Sequence, residues 1–382
     1  MKSIPPLDLT QQFQTISAEV NAAVLAVLAS GQYINGPVVQ RFEQAFAQYI
    51  GTSDCVGCNS GTDALYLALR AYDIGAGDEV ITTPFTFIAS AEVVSMTGAT
   101  PVFVEVEPDT FNLDLDRLEA AITPRTKAII PVHLFGQPVD MTRLMAIAHS
   151  HNLLVIEDCA QATGAEWAGQ KVGSIGHVGC FSFFPTKNLG ACGDGGAMTT
   201  QDGAIAARLR MLREHGSRVR YYHDEVGMTS RLDALQAAIL HIKLRHLDTW
   251  NAARQAVADR YSQLLQPIPG VIAPQPPSGG KSVWHQYTIR LTDIPASFDP
   301  ASQGNYRDIV RQRMQQQGVN SMIYYPIPLH LQVVYASLGH CVGSFPVVEQ
   351  LCQDVLSLPM YPELTAEQQE QVVYALKDSL DA

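Results

Sequence analysis

A lysine between apolar and glycine-rich residues is the side chain of this sequence best suited to covalent chemistry. Lys187 lies in the segment 183–190, which reads FFPTKNLG. Loss of solvation lowers the pKa of a lysine amine, and a neutral amine can form a Schiff base with a carbonyl compound. An ordinary solvated surface lysine is the alternative interpretation.

An acidic residue and an anion-binding segment precede this lysine. Asp158 follows the predicted strand 153–157, and Gln161 lies one turn further on. This position is the carboxyl end of a predicted parallel strand, where open α/β sheets bind ligands. An aspartate at such a point either caps the next segment or holds a protonated ring nitrogen.

The segment 60–63, Ser-Gly-Thr-Asp, closes a predicted strand and opens a predicted helix. Backbone N–H groups at the positive end of a helix bind anions, although an ordinary N-cap with a turn glycine is the alternative. An anion site, an acid at a strand end and a desolvated lysine are what pyridoxal phosphate requires. The combination therefore predicts a site for this cofactor.

Alternating helices and short apolar strands should position these residues. We predict strands at 55–58, 79–83, 101–106, 128–133 and 153–157, with helices beginning near Thr62, Phe87, Leu115 and Met141. Nearly continuous apolar strands indicate burial on both faces. The pattern predicts an α/β fold with a doubly wound, mostly parallel sheet.

The second half of the chain changes character. We predict strands at 180–184 and 196–200 and a helix from Leu232 to about Leu265. The Pro/Gly/Ser-rich stretch 266–280 predicts a boundary between a large domain, 1–265, with an N-terminal helical arm, and a smaller α+β domain, 266–382. The smaller domain should contain a strand at 287–291 and helices at 306–317 and 366–380.

Composition limits the partners. The 382 residues carry a net charge of −12, which argues against nucleic acid, and only 16% are charged, which favours a homo-oligomer. The absence of an apolar leader, or of an apolar run near the roughly 18 residues of a membrane span, predicts a cytoplasmic protein without a membrane partner. Seven scattered cysteines predict reduced thiols.

Three motif fragments do not support other classes of site. The CxxC spacing at 55–58 has no further ligands nearby and does not begin a helix, so no metal is predicted. The Gly-Lys-Ser at 280–282 has Gln275 where a P-loop needs glycine, and the glycines of 190–196 fail the dinucleotide spacing.

The sequence resembles the DegT/DnrJ/StrS-type sugar aminotransferases over essentially its whole length. The resemblance implies the aspartate-aminotransferase fold, which is fold type I of pyridoxal phosphate enzymes. The lysine segment, followed by Gly-Asp-Gly-Gly at 193–196, is its most specific part. The matching segments are 31–37 (GQYINGP), 60–65 (SGTDAL), 157–162 (EDCAQA), 182–190 (SFFPTKNLG), 230–233 (SRLD), 236–238 (QAA) and 325–330 (YPIPLH).

The resemblance implies a role for individual residues. Lys187 would form the Schiff base and Asp158 would pair with the pyridine nitrogen, as the two catalytic residues. Where the family has an asparagine that reaches the partner's site, this sequence has Thr229. The remaining cofactor-binding residues would be Gly61, Thr62, Asp63 through its amide, Phe87 on the ring, Gln161, Ser182 and Thr229. The substrate contacts would come from Arg218, Arg220, Arg231, His285, Tyr324 and Tyr325.

The activity implied by the resemblance is amino transfer from glutamate to a keto-sugar on a nucleotide diphosphate, in a homodimer with shared active sites. A 3-keto substrate is favoured over a 4-keto one because the segment 216–231 resembles members acting at that carbon. The alternatives are a cofactor-dependent sugar dehydratase, whose branch has histidine in place of the lysine, and a non-catalytic cofactor-binding regulator.

Overall fold

A computed structural model describes residues 3–295, 298 and 304–381 of the chain. Its strands, numbered along the chain, are β1 (Asp54–Cys58), β2 (Glu79–Thr82), β3 (Thr100–Phe103), β4 (Thr126–Ile129), β5 (Leu154–Asp158), β6 (Glu166–Trp167), β7 (Gln170–Lys171), β8 (Val178–Ser182), β9 (Gly196–Thr200), β10 (Ser217–Val219), β11 (Tyr222–His223), β12 (Val271–Ile272), β13 (Gly280–Lys281), β14 (Tyr287–Leu291) and β15 (Val355–Leu358).

The α-helices are numbered in the same way. They are α1 (Leu9–Ser30), α2 (Gly36–Ile50), α3 (Gly61–Ala71), α4 (Ala89–Met96), α5 (Leu115–Leu118), α6 (Met141–Ser150), α7 (Gly203–Leu212), α8 (Ala234–Leu265), α9 (Tyr306–Gln316), α10 (Pro346–Asp354) and α11 (Ala366–Asp381). Short 3₁₀ turns cover Glu119–Ala121, Leu134–Gly136, Leu329–Leu331 and Val333–Leu338.

A seven-stranded sheet in the order β1-β9-β8-β5-β4-β2-β3 forms the centre of the molecule. The strands from β8 through β3 pair in parallel, and β9 runs antiparallel to both β8 and β1. The predicted mostly parallel α/β sheet is therefore confirmed. Its parallel strands all end at the same edge, where loops can bring ligand-binding side chains together.

Helices cover both faces of this sheet because its strands are apolar on both sides. Val80 and Ile156 pack in a cluster with α3, α4 and α7 on one face. Their neighbours Ile81 and Val155 pack with α6 on the opposite face, and α2 and α8 continue that layer. The alternation of single residues between the two clusters follows from the two-residue period of a strand.

The C-terminal part of the chain has its own core. The antiparallel strands β12, β14 and β15 pack against α9, α11 and the last turns of α8. Ile4 belongs to this core and forms a parallel bridge with Val319, so the first described residues lie beside the C-terminal strands. The predicted division of the chain at 265/266 stays a prediction.

Several predicted elements end elsewhere in the structure. The strands predicted at 101–106 and 128–133 stop at Phe103 and Ile129, because the chain leaves the sheet there to form loops at its carboxyl edge. The helices α7 and α10 and the strand β15 were not predicted. Strand β15 follows α10 directly, without the glycine or proline that signals a turn.

One helix, α1, is long and apolar enough to cross a membrane when judged by length and composition alone. The core helix of a soluble protein and an N-terminal signal sequence pass the same test, so this helix is weak evidence for a membrane span. Its residues Ile16 and Val20 pack on Ile239 and Ile242 of α8. This contact holds α1 against the sheet layer.

Candidate active site

A cavity of about 370 Å³ opens at the carboxyl edge of the central sheet. The ends of β5 and β8, the start of α3 and a loop from the C-terminal part of the chain form its walls. The cavity brings together most of the predicted site residues, which are Gly61, Thr62, Phe87, Asp158, Gln161, Ser182, Lys187, His285, Tyr324 and Tyr325.

Lys187 lies on the loop between β8 and β9, and its amine is enclosed by the cavity. Its backbone N–H donates to the Phe184 carbonyl at 2.9 Å, which closes a tight turn after the strand. Desolvation lowers the pKa of the amine to about 8, and the negative charge of Asp158 opposes that shift. A neutral Lys187 amine is therefore accessible near physiological pH.

Asp158 is the last residue of β5 and is almost fully buried. The Ser90 hydroxyl donates to its Oδ2 at 2.8 Å, and the Ala160 N–H donates to its Oδ1 at 3.1 Å. Burial raises the pKa of this carboxyl, while these two hydrogen bonds and the charge of Lys187 favour the ionised form. The carboxylate is thus fixed in orientation and poised to pair with a cation.

The first turn of α3 forms a cup for an anion. A Cβ on Gly61 would lie 2.7 Å from the Ser182 Cβ, so the two walls meet without room for a side chain. A Cβ on Gly196 would overlap the carbonyl group of Ser60. Such close approach of backbones at a helix N-terminus suits a bound phosphate.

Asp63 lies beside this cup and does not line the cavity. Its N–H donates to the Ser60 Oγ at 3.1 Å, which is the N-cap of α3. The carboxyl group of Asp63 has a raised pKa because of burial, and a hydrogen bond with Ser230 opposes the shift. The amide expected to bind phosphate is therefore used by the helix cap in this structure.

Gln161 connects two walls of the cavity. Its Oε1 accepts a hydrogen bond from the Phe135 N–H at 2.7 Å, and its Nε2 donates to the Tyr325 hydroxyl at 3.3 Å. Burial raises the pKa of Tyr325, so its hydroxyl stays protonated. Phe87 stands at the mouth with 58% of its surface exposed, where it can cover a planar ring.

Four predicted residues on the segment 217–231 lie outside the cavity of their own chain. Thr229 contacts the Nε2 of His215 through its hydroxyl. Arg231 forms an ion pair with Glu214 at 3.0 Å. Arg218 and Arg220 lie on or beside the exposed hairpin β10–β11. The contact of Thr229 and Arg231 with a partner's site stays a prediction.

Sequence reasoning did not assign Ser90 or Asn188 to the site. Asn188 follows Lys187 directly, inside the most specific segment. Ser90 follows one residue after the start of α4, and nothing in its local sequence distinguishes it from an ordinary helix serine. Only its contact with Asp158 assigns it to the site.

A buried group of His133, Glu157 and Cys159 has the residue types of a metal site. The Nδ1 of His133 accepts from the Val139 N–H, and its Nε2 lies 3.1 Å from Glu157. The Glu157 carboxylate also accepts from three backbone N–H groups, which belong to Gly173, Ile175 and Gly176. These hydrogen bonds occupy the candidate ligand atoms of His133 and Glu157 and anchor the loop before β8, while burial raises the pKa of the Cys159 thiol.

Cys55 and Cys58 of the CxxC segment do not face one another. They lie on β1 and belong to clusters on opposite faces of the sheet. Burial raises the pKa of Cys58 to about 12 and also raises that of Cys55. Both thiols are therefore protonated core side chains.

The chain matches the model of the DegT/DnrJ/EryC1/StrS aminotransferase family over residues 14–377. It belongs to this family. Members of the DegT/DnrJ/EryC1/StrS family depend on pyridoxal phosphate, and the amine, carboxylate and anion cup of the cavity fit that cofactor. The chain is therefore a pyridoxal phosphate-dependent aminotransferase with the fold and family expected from its sequence.

Individual relatives of this DegT/DnrJ/EryC1/StrS protein cover nearly its whole length. A protein of Acidithiobacillus ferrooxidans named UDP-N-acetyl-3-dehydro-alpha-D-glucosamine 3-aminotransferase is 46% identical and covers 99% of this chain and 98% of its own. A "pleiotropic regulatory protein" of Geobacillus stearothermophilus is also 46% identical, over 97% of both chains.

Among solved structures, DesV of S. venezuelae in complex with a ketimine intermediate superimposes with a TM-score of 0.94. It is 44% identical, and the match covers 100% of both chains. The agreement extends through the small C-terminal strands as well as the central sheet, so both parts of this chain have counterparts in that enzyme.

Proposed function

We propose that this enzyme transfers an amino group from glutamate to C-3 of a keto-sugar linked to a nucleotide diphosphate. The name of the A. ferrooxidans relative, which specifies a UDP-linked 3-dehydro sugar, supports both the nucleotide and the position. The resemblance of the segment 216–231 to members acting at C-3 points the same way. A 4-keto sugar is the competing substrate.

The observation that carries the proposal is the shared cavity of Lys187, Asp158 and the first turn of α3. Bound pyridoxal phosphate supplies an electron sink that makes a proton beside the transferred nitrogen acidic. The Asp158 carboxylate holds a positive charge on the ring nitrogen, and the N-terminus of α3 binds the phosphate.

The Nζ of Lys187 then takes that proton as a general base and returns it as a general acid. A pKa of about 8 suits both tasks, because the amine exchanges its proton near neutral pH. Phe87 and Tyr325 line the cavity beside Lys187 and limit the access of water. Gln161 holds the Tyr325 hydroxyl in place.

The alternative substrate chemistry is dehydration of the sugar. The resemblance implies that the dehydratases of the family have histidine at the lysine position, whereas this chain has Lys187. The alternative without catalysis is a cofactor-binding regulator, and the G. stearothermophilus relative is named as a regulatory protein. The chain belongs to a family of aminotransferases, and the structure of DesV, which is 44% identical, holds a ketimine intermediate; both findings favour the enzyme.

The working assembly in this proposal is a homodimer with shared active sites. Large apolar side chains are exposed around the hairpin β10–β11, with Tyr221 at 79% and Tyr222 at 72% exposure. Contact with a second copy would cover them and bring Thr229 and Arg231 to the partner's cavity. We propose no nucleic-acid or membrane partner for this enzyme.

We place the enzyme in the cytoplasm within the same proposal. Its seven cysteines are free thiols, and five of them are buried. Reduced cysteines are usual in the cytoplasm, where glutathione and thioredoxin keep thiols reduced.

The experiment that tests the proposal supplies the holoenzyme with glutamate and a panel of nucleotide-linked 3-keto and 4-keto sugars. Mass spectrometry identifies any amino sugar, and NMR of the product locates the new nitrogen. We expect amination of a 3-keto member, and no product with Lys187→Ala. Amination confined to 4-keto sugars would overturn the assignment to C-3.

A half-reaction separates the enzyme from the regulator without knowledge of the sugar. The pyridoxamine phosphate form of the protein is mixed with 2-oxoglutarate, and glutamate release is measured. We expect stoichiometric glutamate. If no keto acid among a panel yields an amino acid, the regulator becomes the better explanation.

A further inference from the structure

His285 lines the same cavity as Lys187 and is 5% exposed. It lies between β13 and β14, on the segment that joins the small sheet β13-β6-β7 to the C-terminal strands. Its ring makes one hydrogen bond among the described residues, from Nδ1 to the Oδ1 of Asn188 at 3.1 Å. The other nitrogen, Nε2, makes no hydrogen bond with a described residue and can bind a group in the cavity.

The orientation of the Asn188 amide follows from its other contacts. Its Nδ2 lies 2.9 Å from the carbonyl oxygen of Val283, and a carbonyl oxygen can only accept a hydrogen bond. The group next to His285 must therefore be the amide oxygen of Asn188. Because that oxygen is also only an acceptor, the Nδ1 of His285 must carry the proton.

A second asparagine, on α8, fixes the first. The Nδ2 of Asn251 donates to the Thr163 carbonyl at 3.1 Å, so its Oδ1 accepts from the Nδ2 of Asn188 at 2.9 Å. A Cβ on Gly164 would lie 2.9 Å from that Asn251 nitrogen, so no side chain fits there. The relay Thr163–Asn251–Asn188–His285 consequently has one self-consistent arrangement of donors and acceptors.

The surroundings of His285 keep its ring neutral. Burial lowers its pKa well below the usual value, and the positive charges of Lys187 and Arg254 lower it further. The Asn188 amide that faces it carries no charge to oppose them. A neutral ring with its proton on Nδ1 has a lone pair on Nε2.

We propose that Nε2 of His285 is a fixed hydrogen-bond acceptor for an N–H or O–H donor in the cavity, with Asn188 and Asn251 as positioning residues. The donor is either the Lys187 amine once it leaves the cofactor or a hydroxyl of the sugar. The identity of the donor rests on the proposed function. The protonation and tautomer of the His285 ring do not depend on any substrate.

His133 provides an internal contrast. Its Nδ1 accepts from the Val139 N–H, so its proton must lie on Nε2, which faces Glu157. The two buried histidines are therefore expected to be opposite tautomers in the same protein.

The first test is ¹⁵N NMR of the histidine rings in the holoenzyme without substrate. The His285 signals are assigned by their loss in His285→Phe, or in His285→Gln if the first variant does not fold. We expect a proton on Nδ1 and no titration between about pH 5.5 and 8.5, with His133 showing the opposite tautomer. A proton on Nε2 of His285, or an imidazolium in that range, would overturn the proposal.

The second test compares the glutamate and sugar half-reactions of His285→Phe and His285→Gln. Loss of the acceptor should slow a half-reaction at least about fivefold, and glutamine, which offers an amide oxygen, should recover part of the rate. Slowing of both half-reactions identifies Lys187 as the donor, and slowing of the sugar half alone identifies a sugar hydroxyl. Unchanged rates for His285→Phe in both would refute the acceptor.

Asn188→Ala tests the relay. This variant keeps the ring but removes its fixed partner, so the tautomer should become mixed in the NMR spectrum while His133 stays unchanged. A His285 spectrum identical to wild type would show that Asn188 has no positioning role. Failure of the whole sugar panel would instead count against the proposed substrate class and leave the ring measurement intact.

Discussion

The hydroxyl of Ser90 donates a hydrogen bond of 2.8 Å to the Oδ2 of Asp158, although the two residues are 68 positions apart in the sequence. The Thr86 hydroxyl lies 3.0 Å from the Ser90 oxygen and continues the contact along the start of α4. With the Ala160 N–H on the other oxygen, the carboxylate is held from both sides. Ser90 therefore supports the charged form of Asp158 in a buried position.

Replacing Ser90 with alanine should lower kcat by roughly tenfold, because a hydrogen bond to a charged group contributes about 1.5–3 kcal/mol. The pKa of Asp158 should rise, since burial is then opposed by one hydrogen bond fewer. Steady-state kinetics across pH measure both effects, and the acidic limb of the kcat profile should move to higher pH.

The control for this substitution is Ser150→Ala. Ser150 is exposed at the end of α6, and its hydroxyl donates to the Ile147 carbonyl of its own helix. It should leave kcat and the pH profile unchanged. Equal behaviour of the two variants would remove Ser90 from the support of Asp158.

The rate at which the cofactor-free protein binds pyridoxal phosphate covalently should report the pKa of Lys187. Only the neutral amine attacks a carbonyl group, and the pKa is lowered from 10.5 to about 8. Because the neutral form accumulates above the pKa, the rate should rise with pH and level off above about 8 to 9. Stopped-flow absorbance at saturating cofactor measures this profile.

Lys187→Ala is the matched control, and it should show no covalent step at any pH. A profile that keeps rising through about pH 10 would mean that the amine is as basic as a solvated lysine. That result would contradict the desolvated environment of Lys187.

Gly61→Ala should weaken pyridoxal phosphate binding by at least about tenfold. The new Cβ would lie 2.7 Å from the Ser182 Cβ and 3.1 Å from its Cα, so the two walls of the anion cup must separate. Tenfold corresponds to about 1.4 kcal/mol, within the range of a small overpacking. The dissociation constant is measured by absorbance titration of the cofactor-free protein.

Gly203→Ala is the comparison variant, because Gly203 also begins a helix, α7, but a Cβ added there would have no heavy atom within 4 Å. Its cofactor affinity should match wild type. If Gly61→Ala binds pyridoxal phosphate as tightly as Gly203→Ala does, the close approach of Gly61 to Ser182 is not required for cofactor binding.

Mixed dimers test whether the sites are shared. Lys187→Ala and Arg231→Ala chains, each folded, dimeric and inactive alone, are combined at equal amounts and allowed to exchange. If Arg231 serves the partner's cavity, each mixed dimer contains one site with both defects and one with neither. About half the dimers are mixed, so roughly a quarter of the wild-type sites should return.

Native mass spectrometry of chains with different tags shows whether exchange occurred. Recovered activity with exchange supports the shared site. Exchange without any recovery would place the action of Arg231 in its own subunit, where it already pairs with Glu214 at 3.0 Å.

The sequence by itself determined the local parts of this protein. The apolar run before Asp158, the hydroxyl and glycine residues at 60–62 and the setting of Lys187 each follow from residues adjacent in the chain. The apolar character of the strands on both faces predicted the buried sheet, since strand periodicity is a local property. Because parallel strands end at the same edge of a sheet, the segments that follow them were expected at the carboxyl edge.

Tertiary structure alone decided which distant side chains meet. Neither Ser90 with Asp158 nor Asn188 with Asn251 is signalled by spacing, since 68 and 63 residues separate the partners. A periodic pattern fixes which face of a helix is buried, but the packing angle and the position along the helix decide which polar group on that face finds a partner. The same packing turns Thr229 and Arg231 away from the cavity of their own chain, because the segment that carries them folds back on His215 and Glu214.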